Sequence, residues 1–477
     1  MRKKGSVTVF LTLILSLLLS LICASIESVR MASARTQILN GMDIGLYSLF
    51  GQYDKELLAD YDLFALDGSR GGGQLDLAAV CDELEAYMNP VLKQNSQKLT
   101  LCQSGLTGYR LLTDQKGEAF YQQIVGYMQE TLGSQGIQLL LGRMSERQEK
   151  TAQADQSANQ AQSKGSIDRY DSEMNQASEK SQQAAEEAQV VPQAPPAKNP
   201  ITIMKRIMKR GVLELVLPGG NGLSTKEIAK GTLVSGRGLQ QGMEMPDGMT
   251  VENSYTSEVL FQQYLMEHLG NYAEPSSTGL AYQVEYIFGG KDSDEDNLKA
   301  VASKLLFIRE GVNFACLMAD NVKRSEAQAL ATAIASGFLV PPAAVIIEAA
   351  LILCWAFAES VLDVRELFAG GRIPLVKSSG DWQISLENLP DLMEGLDSMR
   401  RNDEKGMSYK DYLQVLVLTV SKEKKVMRAM DMIENTIREK GRKNFCMDSC
   451  IVALEAFADV KANKKKDFQV IRQYCYE

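Results

Sequence analysis

Residues 1–30 read MRKKGSVTVFLTLILSLLLSLICASIESVR, and this stretch decides how the rest of the chain is organised. Three basic residues stand within the first four positions, and no charged residue occurs between Gly5 and Glu27. At about 1.5 Å per residue, a helix from Ser6 to Ile26 matches the ~30 Å hydrocarbon core of a bilayer. Because backbone amides in lipid must be satisfied within the segment, residues 6–26 are predicted to form one transmembrane helix.

The charge pattern also predicts the orientation of this helix. Basic residues before an apolar run favour a cytoplasmic N-terminus over residues 1–5 and an extracellular body, as in a single-pass protein of the cell membrane. Two alternatives remain open, a cleaved secretory signal ending in the small residues 23–25 and a lipoprotein modified at Cys23. In a third, pilin-like interpretation, a prepilin-type peptidase cuts after Gly5. Gly5 and Ser6 form that candidate processing site, although Phe10 stands where such substrates carry a glutamate.

Composition limits the classes of function. The 477 residues suffice for two or three domains, and a hydrophobic fraction of 45% supports folded cores. A net charge of −9 argues against nucleic acid as a partner. The single histidine, His268, argues against histidine-based catalysis and against a multi-histidine metal site. Eight scattered cysteines indicate free or loosely paired thiols rather than a disulfide scaffold. We therefore expect neither a cofactor nor a metal.

Residues 27–143 are predicted to form a first part of the ectodomain. An apolar stripe at three- and four-residue spacing, running from Leu39 to Tyr53, predicts that the membrane helix continues as an amphipathic helix. Residues 61–67 and 98–102 are predicted to be strands. The segments 75–92 and 115–142 are predicted to be helices.

Residues 144–200 form a spacer rich in Ala, Gln, Ser and Pro. The segment has almost no large apolar side chain, so it is predicted to be a solvated helix or a disordered linker that ends in a proline-rich stretch. Residues 201–477 are then predicted to form a helical domain. At its end, residues 450–462 and 466–476 are predicted to pair as a terminal β-hairpin.

Three segments of this second domain are predicted to be strands, residues 280–288, 372–377 and 381–386. The run 338–358 is apolar enough to raise a second membrane span. A carboxylate at a bilayer centre costs on the order of 3 kcal/mol. Glu348 in the middle of the run and Glu359 at its end therefore favour a buried core helix in which Glu348 is satisfied by a partner.

The sequence contains no recognisable catalytic motif. Residues 289–297 are strongly acidic but lack the glycine and final glutamate of a calcium loop, so Asp294 and Asp296 are predicted to cap a helix. No Gly-x-Ser-x-Gly, His-Glu-x-x-His or phosphate-loop lysine is present. A non-catalytic structural or assembly protein is the first hypothesis. A surface adhesin or ligand-binding protein and a carboxylate-dependent surface hydrolase are the alternatives.

Several stretches together resemble a known group of sequences. They are Lys4–Leu11 (KGSVTVFL), Tyr61–Leu66 (YDLFAL), Arg210–Pro218 (RGVLELVLP), Tyr286–Lys291 (YIFGGK) and Trp355–Val361 (WAFAESV). They resemble an uncharacterised family of membrane-anchored proteins encoded near tight-adherence (Tad) pilus genes in Gram-positive anaerobes, distantly similar to TadE and TadG at the N-terminus. This resemblance implies a minor-pilin-like role, with other pilus or secretion components as partners.

The predicted fold class is α+β and mainly helical. An N-terminal transmembrane helix continues into an amphipathic helix, and a helix-rich ectodomain with a few short antiparallel strands follows. Candidate residues are Gly5 and Ser6 for processing and Glu348 and Glu359 as buried polar groups; no catalytic, cofactor or metal residue is predicted.

Overall fold

The computed structural model describes residues 4–94, 99–164, 170, 172, 176, 179, 200–217, 222–243, 245, 254–337, 343–377, 379–391, 406–462 and 466–476. Within these ranges the fold is α+β and mainly helical, which confirms the predicted class. Two compact units are formed. The first contains Met1–Tyr127, Thr232–Glu252 and Ile437–Glu477, and the second contains Met128–Gly231 and Asn253–Thr436.

The described ranges contain thirteen α-helices. They are α1 (Lys4–Phe50), α2 (Lys55–Tyr61), α3 (Leu77–Lys93), α4 (Asp114–Lys164), α5 (Pro200–Met208), α6 (Val212–Val216), α7 (Tyr255–His268), α8 (Gln283–Gly289), α9 (Asp294–Ala319), α10 (Asn321–Gly337), α11 (Ala344–Phe368), α12 (Tyr409–Leu418) and α13 (Lys422–Glu439). Four strands accompany them: β1 (Leu66–Asp67), β2 (Leu99–Leu111), β3 (Cys450–Ala462) and β4 (Lys466–Cys475).

The sheet of the first unit is antiparallel and is built around β3. Strand β2 pairs along one side of β3, with three interruptions of register. On β3, strand β4 pairs without interruption from Ala453↔Cys475 to Ala462↔Lys466, and β1 adds two further pairs. The terminal β-hairpin is therefore confirmed, as is a strand at 98–102, which extends further than predicted.

The core of the first unit lies between α1, α3 and the sheet. Helix α1 enters it at Ala34 and continues through Ile38, Met42 and Leu46, all of which are buried. This four-residue spacing, followed by a three-residue step to the buried Leu49, is the stripe expected of an amphipathic helix. Gly45 allows the close approach of α3, because a Cβ there would lie 2.6 Å from Cγ of Met88. One face of α1 is thus packed into the core of the first unit.

Helices α9, α10 and α11 form the centre of the second unit, and α11 is buried along most of its length. Helix α6 packs on α11, where the buried Arg365 donates hydrogen bonds to the carbonyls of Leu215 and Leu217. Helix α12 begins with a capping box in which Ser408 and Asp411 satisfy each other's backbone amides.

The predicted strand at 280–288 is wrong, because Gln283–Gly289 forms the helix α8. Alternation is a poor guide here since the segment is buried on all sides, which removes the contrast between two faces. The carboxylate of Asp294 accepts hydrogen bonds from the amides of Ala281 and Tyr282, which satisfies donors at the start of the helix. Asp294 therefore helps to start α8 as well as lying in the first turn of α9.

The two strands predicted at 372–377 and 381–386 are also wrong. Only Ile373 forms a bridge, an isolated pair with Met407, and residues 379–381 and 386–391 form short 3₁₀ helices. The peptide groups of this segment are instead satisfied by buried side chains, as described below. Sequence periodicity does not reveal such partners.

The described part of the 144–200 spacer is helical, since α4 runs without interruption to Lys164. Its small residues are not simply solvated: Ala154 and Ala158 are buried. At the closest approach, a Cβ on Gly311 of α9 would lie 2.3 Å from atoms of Ala158. The proline-rich stretch at 190–199 and the hairpin tip at 463–465 lie outside the described residues.

Candidate functional site

The N-terminal half of α1 is a long apolar surface. The candidate span Val7–Phe50 has a mean hydropathy of 2.7 over its most apolar window, and none of that window is buried. The apolar helix is compatible with a membrane span and equally with a signal sequence. Gly5 and Ser6 lie in the first turn of the helix, and their side chains are outside the described ones.

Small residues recur along one side of this apolar half. Thr8, Thr12, Ser16, Ser20 and Ala24 recur at four-residue intervals. The Ser16 hydroxyl donates to the carbonyl of Leu13 at 2.9 Å, and the Ser20 hydroxyl donates to that of Leu17 at 2.9 Å. Because the hydroxyls are satisfied within their own helix, they add little cost in lipid and leave a shallow face on the helix.

The C-terminal half of α1 is tied to β4. The Asp43 carboxylate pairs with Nε of Arg472 at 2.9 Å, and the Tyr476 hydroxyl donates to the carbonyl of Phe50 at 2.6 Å. The ring of Phe50 also lies 4.7 Å from that of Tyr474, between centroids. The apolar N-terminal half of α1 is therefore continuous with a C-terminal half that is fixed in the first unit by packing, hydrogen bonds and an ion pair.

The second unit contains a buried network of two cations and two carboxylates. Arg309 of α9 contacts Oδ2 of Asp363 through Nε at 3.0 Å and Nη2 at 2.8 Å. Lys377 Nζ lies 2.5 Å from both Asp363 Oδ1 and Glu359 Oε1. All four side chains are at most 2% exposed. Formal charges balance, which is what allows such groups to be buried at all.

This network also binds backbone groups of the segment after α11. Arg309 Nη1 donates to the carbonyls of Pro374 and Leu375, each at 2.9 Å. Glu359 accepts from the amide of Ile384 at 3.0 Å. Burial raises the pKa of Asp363, but the charges of Arg309 and Lys377 outweigh it and lower the pKa to about 2. The network therefore ties residues 374–384 to α9 and α11 through buried hydrogen bonds.

The two carboxylates singled out from the sequence occupy different environments. Glu359 belongs to the buried network. The side chain of Glu348 is 16% exposed and lies 3.7 Å from Nε of Arg324. The helix that carries both, α11, is the second candidate span by length and composition, and 78% of its apolar window is buried inside the protein.

A separate carboxylate, Glu285, was not singled out by sequence reasoning. It is fully buried, and its Oε1 accepts from the Tyr409 hydroxyl at 2.6 Å and from the amide of Tyr272 at 2.8 Å. Its Oε2 has no hydrogen-bond partner within the described residues. Desolvation raises the pKa of Glu285 to about 7, against these hydrogen bonds, which lower it. Because the alternating pattern of residues 280–288 indicates a strand with one polar face, the sequence gives no sign of this burial.

The model of a family of unknown function, DUF5702, matches residues 192–462, which is more than half of the chain. The chain belongs to the DUF5702 family. No curated protein and no solved structure matches it.

The DUF5702 region contains α5–α13 and β3, and with them the whole buried network and Glu285. It leaves out α1, α3, β2 and β4, so the region supplies the central strand of the sheet but neither α3 nor β4, on which α1 packs. Helix α1 and much of the surface on which it packs therefore lie outside the matched region.

Other side chains discussed from the sequence have structural roles in or near the DUF5702 region. The ring of His268 stacks on Tyr264 at 4.0 Å between centroids. Asp296 shares a hydrogen bond with Ser293, whose hydroxyl caps α9. Cys23, Cys81, Cys102, Cys316 and Cys354 are free thiols. The described ranges contain no group of three or more metal-ligating side chains.

Proposed function

We propose that this protein is a non-catalytic, membrane-anchored extracellular subunit of a Tad-type pilus or secretion apparatus, with a minor-pilin-like role. One observation carries the proposal. In α1 an apolar surface long enough to cross a bilayer continues, without a break, into the helix that is buried against the antiparallel sheet. The anchor and the core of the first unit are then joined by one helix, which is the property required of a subunit held in an assembly by its stalk helix.

The small-residue face of α1 supports association with other membrane helices. In lipid, helices gain little from the hydrophobic effect, so close backbone approach across small residues is a main source of affinity. Thr12, Ser16 and Ser20 lie in a shallow groove on this face. We expect neighbouring subunits to pack their apolar helices along it.

The resemblance to sequences encoded near Tad pilus genes supplies the partner class. DUF5702 membership assigns no activity, so this part of the proposal depends on the resemblance alone. In the proposed arrangement residues 1–5 are cytoplasmic and the folded body of the protein is outside the cell. Gly5–Ser6 is the bond that a prepilin-type peptidase would cut.

The test fills the small-residue face without removing the anchor. The double variant Ser16→Leu, Ser20→Leu is expressed with the Tad pilus subunits of the same organism, and complexes are captured by cross-linking in membranes. We expect the variant to stay in the membrane fraction, because it is more apolar, and to lose most cross-links to pilus subunits, because the added side chains separate the helices.

A matched control is available on the same helix. Ser25 lies nine residues beyond Ser16, and at about 100° per residue it is on the opposite side. Ser25→Leu therefore makes the same chemical change away from the small-residue face and should leave the cross-links intact. Full cross-linking of the double variant, or none between the parent protein and any Tad subunit, would contradict the proposal.

A further inference from the structure

A groove on the second unit has a composition unlike that of the chain as a whole. It has a volume of about 500 Å³ and lies between α4 and the segments 374–376 and 406–407. Its lining side chains are Arg143, Glu146, Arg147, Lys150, Pro374, Leu375, Val376 and Met407. One wall is thus mainly basic and the other apolar, in a protein whose net charge is −9.

The basic wall is a single face of α4. Arg143, Arg147 and Lys150 are spaced by four and three residues, which places them in one row along a helix. Arg147 Nη2 contacts Asp411 at 2.8 Å, and Lys150 contacts Glu146 at 2.5 Å. Arg143 is exposed and makes no ion pair within the described part of the chain. The wall therefore retains unneutralised positive charge.

A further cation, Arg372, adds to the positive charge of this wall. Arg372 lies 4.0 Å from Asp411, so that a single carboxylate faces both Arg372 and Arg147. Counting Arg143 and Lys150 against Glu146, the groove and its edge carry four cations and two carboxylates. An added anionic group would be attracted rather than repelled.

The backbone of the apolar wall is fixed by hydrogen bonds, and the wall is partly open to solvent. Val376 is 67% exposed, although it is a large aliphatic side chain. The carbonyls of Pro374 and Leu375 accept hydrogen bonds from the buried Arg309. Ile373 and Met407 exchange two backbone hydrogen bonds of 3.0 Å. Because this wall is fixed beforehand, a ligand would lose little free energy in ordering it.

We propose that this groove binds an acidic peptide segment of a partner protein. Carboxylates of the peptide lie against Arg143 and Lys150, and an aliphatic side chain packs on Val376 and Met407. Carboxylates satisfy the basic wall, and only a peptide also supplies an apolar side chain for the opposite wall. A phosphate polymer would use the cations and leave Val376 exposed. The proposal is independent of the pilus assignment.

The test measures binding of defined peptides to the full chain in detergent. A set of short fluorescein-labelled peptides places Leu at different spacings from a pair of Glu residues, and fluorescence anisotropy gives the affinity of each. At least one spacing should bind, and affinity should fall as salt rises. The same peptide with Gln in place of Glu should bind at least about tenfold more weakly.

Two variants locate the binding. Arg143→Glu with Lys150→Glu should weaken the best peptide by at least about tenfold, and Val376→Ser should weaken it about threefold or more. The control pair Lys299→Glu with Lys424→Glu makes the same change in net charge at exposed positions outside the groove and should have little effect.

Three results would overturn the proposal. One is absence of binding by every peptide in the set. Another is binding that the groove variant and the control pair reduce equally, which would reflect net charge alone. The third is equally tight binding of inorganic polyphosphate that Val376→Ser does not weaken, which would assign the groove to phosphate polymers. None of these results bears on the association of α1 with pilus subunits.

Discussion

Asp363 is the residue on which the second unit depends most directly. It is 2% exposed and contacts both buried cations, Arg309 and Lys377. Burying charges costs several kcal/mol each, and this cost is offset only while the partners are present. Removing the carboxylate leaves two cations facing Glu359 alone.

We therefore expect Asp363→Asn to lower the free energy of unfolding by about 3–5 kcal/mol. Denaturant titration of the full chain in detergent measures it. Asp155→Asn is the control, because Asp155 pairs with Lys304 at 2.7 Å with side chains 29% and 30% exposed, and such pairs contribute less than about 1 kcal/mol. Equal effects of the two substitutions would show that burial does not set the contribution of Asp363.

The lowered pKa of Asp363 adds a pH dependence. Its folded pKa of about 2 lies below the ordinary 3.8, so the stabilisation is complete above 3.8 and is lost as pH falls from there to about 2. In Asp363→Asn this part of the acid-induced loss of stability should be absent.

Glu285 has the opposite dependence. Its pKa is raised from 4.5 to about 7, so the folded protein holds a proton that the unfolded chain has released. Its contribution to stability is complete below 4.5 and falls as pH rises to about 7. Burial raises the pKa of Glu310 to about 7 as well, so two carboxyl groups contribute to this slope.

Glu285→Gln should flatten the slope and raise stability above about pH 7 by about 1–3 kcal/mol, since a neutral amide bears no ionisation cost there. Unfolding free energies measured across this pH range provide the check. Glu295→Gln, which changes an exposed carboxylate, should leave the profile as it is. A parent-like slope in Glu285→Gln would mean that Glu285 does not titrate in this range.

At the scale of elements, small residues decide where helices meet. Gly311 of α9 faces Ala158 of α4 at a distance that leaves no space for a Cβ. The segment around Ala158 contains few large apolar residues, so its composition indicates solvent exposure. Close packing of Ala and Gly nevertheless buries one face, because backbones that approach closely gain dispersion contacts without large side chains.

Gly311→Ala should therefore destabilise the protein by about 1–3 kcal/mol through overpacking. Ala158→Gly in the same chain should relieve the clash, so that the double variant loses less stability than the sum of the single variants. Gly142→Ala is the control, because nothing lies within 4 Å of its added Cβ and alanine favours the helix by up to about 1 kcal/mol. Additive losses in the double-mutant cycle would refute the contact.

At the scale of the whole molecule, the two candidate membrane spans differ in their surroundings. Of the two candidate spans, the window in α1 is fully exposed, whereas that in α11 is 78% buried. Helix α11 also carries Glu359 and Asp363, whose partners Arg309 and Lys377 come from outside it. Moving α11 into lipid would break these pairs, so we expect a single span.

Cysteine labelling tests this expectation. Lys299→Cys and Lys424→Cys place thiols at exposed positions before and after α11, in a background with the eight native cysteines replaced. A membrane-impermeant maleimide applied to intact cells should label both. Labelling at residue 299 alone would mean that α11 spans the membrane and that the buried network does not form as described.

The sequence alone determined the features that depend on local pattern. The apolar run 6–26, the amphipathic stripe after it and the terminal hairpin follow from hydropathy, period and turn chemistry, and each is present as a helix or strand. The sequence also indicates Glu348 and Glu359 as candidate buried polar groups, because a carboxylate in so apolar a run requires a partner.

Only the tertiary structure decided which residues meet. The partners of Glu359, the helix at 283–289 and the groove beside Arg143 are assembled from segments far apart in the chain. Distance along the sequence does not predict such contacts, since Arg309 and Asp363 are 54 residues apart and yet form hydrogen bonds. Local propensity selects helices and strands, whereas burial and charge pairing between distant segments select their partners.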